Sequence, residues 1–169
     1  CVFTMSGASA QNITHAGVNV GGAVVSETGE TDLGGFSTSG DVSFTTTSSY
    51  YKNGSQCIYN DHTNNNNNYL TSSSDIDLSS YTGAELSFWQ IAKTEGGWDK
   101  CRVQYSDDGG STWTTFPNSK YEGTAGDYSS KVYFHEDSYA TWGTSYETPN
   151  NSTWWKQETF DMDFLVTED

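Results

Sequence analysis

Residues 85–116 read ELSFWQIAKTEGGWDKCRVQYSDDGGSTWTTF, and the alternation inside this stretch decides the fold class. Cys101, Val103 and Tyr105 alternate with Arg102, Gln104 and Ser106, which is the period-2 signature of a strand with one buried and one wet face. Ahead of it Leu86, Phe88, Trp89 and Ile91 make a second strand, so apolar that neither face is expected to be fully solvated, with Gly96-Gly97 in a long connection between the two. After it Asp107-Asp108-Gly109-Gly110 supplies turn chemistry, because Asp side chains cap nearby amides and Gly accepts positive φ, and Trp113 and Phe116 return toward the sheet. Phe88, Trp89, Val103, Tyr105 and Trp113 are therefore expected in the core.

Working outward, the rest of the chain offers no helical period. Its 169 residues suit one domain able to bury roughly 70% of its extended-chain surface, and with 33% hydrophobic and 15% aromatic residues the aromatics must carry the core. Abundant Gly, Ser, Thr and Asn with only two prolines, Pro117 and Pro149, point to a β-sandwich with long polar loops. The formal charge of −15 opposes binding to nucleic acid, whose phosphates demand a basic surface. No run of about 20 apolar residues that could span a bilayer as a helix is present, and the chain reads as a mature extracellular segment. Catalytic constellations are poor: His15, His62 and His135 lie in unrelated segments, there is no HExxH or phosphate-cradling glycine loop, and 22 acidic residues make any carboxylate spacing uninformative. His135-Glu136-Asp137 is a metal-type triplet whose plain reading is a solvated loop. Asp61 to Asn68, DHTNNNNN, reads as a polar loop.

Three cysteines leave one odd. Cys57 and Cys101 both sit in strand-like segments and are expected to pair, which leaves Cys1 to lipidation, an intermolecular disulfide or a free thiol. The long excursion over residues 117–150 holds one strand, Lys131 to His135, and a dense set of aromatics. Tyr121, Tyr128, Tyr139, Trp142 and Tyr146 either form a stacking platform for a sugar or pack the excursion onto the body.

Ser106-Asp107-Asp108-Gly109-Gly110-Ser111-Thr112-Trp113 fits the Asp-box pattern S-x-D-x-G-x-T-W, a hairpin motif shared by sialidase propellers and unrelated β-proteins. One box and one arginine, Arg102, do not make a sialidase. With IDLSSYTGAELSFW ahead of it leading into DKCRVQYSDDGGSTW, which contains the box, the region resembles the MAM-like jelly-roll modules of secreted bacterial metallopeptidases and cleaved-adhesin-type surface proteins. The resemblance implies a single antiparallel jelly-roll β-sandwich without catalytic activity, located outside the cell or at its surface. Its two classes of role are a structural or adhesive building block and, as the alternative, a carbohydrate-binding accessory module of a secreted enzyme.

The order of segments departs from that family. His15-Ala16-Gly17-Val18-Asn19-Val20 is similar to the family's closing strand but stands at the beginning, and Trp154 to Asp169 resembles the segment that normally leads into it. Reading Asp169 into Cys1 restores the usual order. Residues 1–26 are thus expected to act as closing or donor strands for a body over 27–169, with Cys1, Val2, Phe3, Met5, Val18 and Val20 as assembly residues. They close their own fold, as in a circular permutation, or a neighbour's, giving head-to-tail self-association into a filament. The family's structural Ca²⁺ uses a Glu and an Asp where Gly34 and Asn19 stand here, so the resemblance implies a calcium site only if Glu30, Asp32 or Asp41 substitutes.

Overall fold

The structure, a computed structural model, describes residues 29–60, 65–128, 131–143 and 153–166, and the backbone of the strand residues 2–4, 9–10, 13–14 and 17–18. Its strands are β1 (Val2–Thr4), β2 (Ser9–Ala10), β3 (Ile13–Thr14), β4 (Gly17–Val18), β5 (Phe36–Gly40), β6 (Thr45–Thr47), β7 (Cys57–Tyr59), β8 (Asn68–Ser72), β9 (Ala84–Gln90), β10 (Arg102–Tyr105), β11 (Thr114–Thr115), β12 (Gly126–Tyr128), β13 (Lys131–Tyr133) and β14 (Lys156–Asp161). Helix among the described residues is confined to single 3-10 turns, so the fold is all-β. No helix among them is long and apolar enough to cross a membrane.

A five-stranded sheet runs in the order β11-β10-β1-β8-β5 and a three-stranded sheet in the order β14-β9-β2, while β3-β4, β6-β7 and β12-β13 form two-stranded ribbons. β9 and β10, neighbours in sequence, lie in different sheets, which explains why their connection through Gly96-Gly97 is too long for a hairpin. β10 and β11 form the expected Asp-box hairpin, with Tyr105 opposite Thr114. Asp108 accepts hydrogen bonds from the Thr112 backbone (2.8 Å), the Thr112 hydroxyl (2.7 Å) and the Ser106 hydroxyl (2.8 Å). These donors hold its carboxyl down at about 2. Gly109 and Gly110 take φ of 68° and 83°, where a side chain would be strained.

One buried cluster draws residues from both larger sheets. Leu86 and Phe160 come from the three-stranded sheet, Val103 from β10 of the five-stranded one and Phe116 from just after β11, and Tyr121, Val132, Phe134 and Trp142 belong to the same cluster. Phe160 is the junction: its ring lies 4.8 Å from Phe116, 5.1 Å from Tyr121 and 5.9 Å from Phe88. Phe88 and Tyr105 pack against this cluster as expected. Trp89 and Trp113 correct the expectation. Trp89 is 43% exposed on the outward side of β9, with the Lys52 ammonium 4.3 Å from its ring centre, and Trp113 is half-buried outside the core. Asn68, which closes the asparagine run, is also not a solvated loop residue. It is buried, accepts from the Val42 backbone and donates to Asn60.

β1 is set apart by direction. It pairs in parallel with β10 (Phe3 opposite Val103) and with β8 (Phe3 opposite Leu70), whereas every other strand pairing among the described residues is antiparallel. Val103 and Leu70 are both buried, so Phe3 occupies the register position of the core-facing row.

Candidate functional site: the slot and the groove of the five-stranded sheet

The strand slot follows from this pairing. β8 is hydrogen-bonded on its far side to β5, and β10 to β11, so each is already one half of an antiparallel pair before β1 is added. With β1 removed, the facing edges of β8 and β10 stand about 10 Å apart, two strand spacings, too far to pair with each other. Their inward-facing amides and carbonyls then need an outside partner.

Above the same strands, on the outward face, lies a groove of 280 Å³ lined by Ser39, Tyr69, Thr71, Gln104 and Trp113. Sheet alternation puts them there. Leu70 and Val103 point inward, so Tyr69, Thr71 and Gln104 point outward, and Ser39 stands opposite Tyr69 in the β5-β8 register. Tyr69 and Thr71 on β8 form one wall and Gln104 on β10 another, with β1 running between them. Trp113 is brought over by the Asp-box turn. The Gln104 amide reaches the Thr115 hydroxyl at 3.4 Å, a long contact. Arg102 stands two residues before Gln104 on β10, opposite Val2 and hence in line with Tyr69, and its buried Nε has no hydrogen-bond partner.

Tyr121, Tyr139 and Trp142 of the excursion over residues 117–150 do not form a platform. Tyr121 and Trp142 are buried core members. The Tyr121 hydroxyl lies 3.4 Å from both the Val103 amide and the Val132 carbonyl, and the Trp142 indole donates to the Trp154 carbonyl at 2.6 Å. Tyr139 donates its hydroxyl to Glu158. Of the two readings left open by the sequence, packing is the one observed for these three; the Tyr128 side chain and Tyr146 lie outside the described residues. What draws the excursion inward is Glu158, fully buried on β14. Besides Tyr139 it accepts from the Glu122 backbone (3.0 Å) and the Gln90 side chain (3.2 Å). Burial pushes its carboxyl above the usual range, and these hydrogen bonds oppose that rise. Burial and the neighbouring Glu158 likewise push the Tyr139 phenol up.

The three carboxylates proposed for calcium are each engaged separately. Glu30 accepts from the Ser55 backbone and hydroxyl at 2.8 and 2.9 Å, bonds that hold its carboxyl below the usual range. Asp32 caps the Gly34 amide, and Asp41 accepts from the Asn67 amide. No group of three or more His, Cys, Asp or Glu that could hold a metal ion occurs among the described residues. His135 and Asp137 belong to a turn cap, with the Asp137 amide donating to His135 Nδ1, and Glu136 accepts from the Gly96 amide.

Cys57 and Cys101 correct a further expectation, since both are free thiols. Cys57 lies in the β6-β7 ribbon, while Cys101 is buried beside β10 and bridged through its backbone to Phe134. Of the assembly residues, Val2 and Phe3 fall in β1 and Val18 in β4, while Cys1, Met5 and Val20 lie outside the described residues. Sequence reasoning missed Ser39, Tyr69, Thr71 and Gln104 as a set. The signal available was the outward half of the alternation in Asn68–Ser72 and Arg102–Tyr105.

The chain matches no family model, and neither the curated proteins nor the solved structures return a match to it.

Proposed function

We propose that this chain is a non-catalytic structural and adhesive building block of a cell surface, folded as a jelly-roll sandwich whose faces are the five- and three-stranded sheets. Its sheet is completed by a strand that the molecule can take from itself or from a neighbour. The observation that carries this reading is β1, a short strand parallel to both neighbours in an otherwise antiparallel set. A hairpin partner is fixed by its turn. β1 is held by no tight turn to either β8 or β10, so what holds it is the ladder and its register, and an identical segment of another chain presents the same groups. In the single chain its own residues fill the slot. Exchange between chains converts that closed contact into a heterologous one that repeats head to tail, hence a filament.

The test is deletion of residues 1–26. The shortened subunit is expected to stay unassembled by analytical ultracentrifugation, and a synthetic peptide of residues 1–26 is expected to bind it and restore its melting transition. Electron micrographs of the full chain are expected to show polymers. A full chain that remains monomeric after refolding at high concentration, or a shortened subunit that ignores the peptide, refutes exchange.

A further inference from the structure

We propose that the outward groove of the five-stranded sheet binds a neutral saccharide, with Tyr69 and Trp113 as its ring contacts and Ser39, Thr71 and Gln104 as its hydrogen-bonding wall. Among the described residues the lining holds two aromatic side chains and three uncharged groups that both donate and accept hydrogen bonds, and no carboxylate or ammonium. That combination matches a pyranose, whose axial C–H groups present a weakly positive face to the negative face of an aromatic ring while its hydroxyls seek neutral donors and acceptors. The volume of 280 Å³ falls just under the range of roughly 300–1,000 Å³ typical of sites for larger ligands. It suits a site that grips one sugar ring of a longer chain.

Tyr69 is 36% exposed, so part of its surface on the groove side is open to a ligand. Trp113 follows directly on the Asp-box turn and its indole lies close to Gly110, where an added Cβ would come within 3.6 Å of it. An aromatic held by a short, internally hydrogen-bonded turn loses little freedom on binding, which favours affinity. The formal charge of −15 argues against an acidic saccharide. Arg102 is the one feature nearby that would favour a carboxylate, because its buried Nε lacks a partner; it does not line the groove. The two walls straddle β1, so the site exists when the slot is filled, whichever chain fills it. The inference therefore does not rest on strand exchange.

The test is calorimetric titration of the full chain with cellohexaose, mannohexaose and maltohexaose, and with an oligogalacturonate as the acidic arm. At least one neutral probe is expected to bind. Tyr69→Ala and Trp113→Ala are each expected to weaken that binding by about tenfold or more, and Gln104→Ala to weaken it without altering the circular dichroism spectrum. Trp98→Ala removes an indole that is 77% exposed outside the groove and is expected to leave binding unchanged. Failure of all three neutral probes overturns the proposal. So does binding restricted to the oligogalacturonate and lost in Arg102→Gln, or binding lost in Trp98→Ala and kept in Trp113→Ala.

Discussion

Replacing Phe160 by alanine tests whether the two larger sheets share a core. Phe160 is fully buried, and its ring meets Phe88 in its own sheet, Phe116 just after β11 and Tyr121 from the excursion. Deleting a buried phenyl group removes its transfer free energy and leaves a cavity, together about 3–5 kcal/mol. Each aromatic pair adds about 0.5–1.5 kcal/mol beyond area burial. Three lost pairs, in a cavity walled by other rigid rings that cannot collapse into it, place Phe160→Ala at the upper end, about 4–5 kcal/mol. For a chain of this length that is a fall in Tm of roughly 8–20 °C. Urea unfolding is the direct assay, with the midpoint lowered and the slope m unchanged. Trp113→Ala is the internal comparison. Being half-buried and outside the cluster, it is expected to change stability by about 1 kcal/mol or less. A loss below roughly 1.5 kcal/mol for Phe160→Ala, or equal losses for the two variants, would refute the shared core.

Two further outcomes follow from the buried groups. The carboxyl of Glu158 is raised above its ordinary value of 4.5 in the folded state, so the folded protein holds a proton that the unfolded chain releases. Its stabilising contribution is therefore full below about pH 4.5 and lost as pH rises through the folded value; Glu158→Gln is expected to flatten that limb of a stability-against-pH curve, and an unchanged slope would show that Glu158 is not its source. The thiol of Cys57 is pushed up to about 11, first by burial and then by Glu30, so native Cys57 is expected to resist iodoacetamide at pH 8. Intact mass spectrometry of alkylated, unfolded, unreduced protein is expected to show Cys57 and Cys101 both modified; a species with the two linked would contradict the free-thiol assignment.

The elements legible in the sequence are those whose cause is local. The Asp-box hairpin is set by side chain to backbone bonds spanning a few residues, from Ser106 to Thr112, and the Cys101, Val103, Tyr105 row is set by alternation alone. Trp89 misled because its size outweighed its position: Leu86 and Phe88 already define the inner face of β9, which leaves Trp89 outward. Trp113 misled in the same way. The fate of Tyr121, Tyr139 and Trp142 was undecidable locally, because the acceptor that draws the Tyr139 hydroxyl inward is Glu158, nineteen residues away on another strand. The groove escaped notice for a related reason, since its walls come from β5, β8, β10 and the Asp-box turn and meet only through the sheet order. Neither the parallel sense of β1 nor its place between β8 and β10 leaves any trace in composition or periodicity.

The pairing of Val2 with Arg102 joins residues a hundred positions apart, and this has a kinetic consequence. Contacts of such separation form late, because the entropy of closing the loop is lost before the ladder compensates for it. At about 5–20 residues per second, a ribosome delivers Arg102 roughly 5–20 s after Val2, and throughout that interval the N-terminal strand has at most the β8 edge of its slot to join. Once β5, β8, β10 and β11 have formed, the open interval between β8 and β10 is a receptor for whichever copy of β1 arrives first. Local chain density during folding, rather than the equilibrium strength of the ladder, then sets the ratio of self-closed to linked subunits. Dilute refolding would yield monomers and crowded refolding chains of subunits from one and the same sequence.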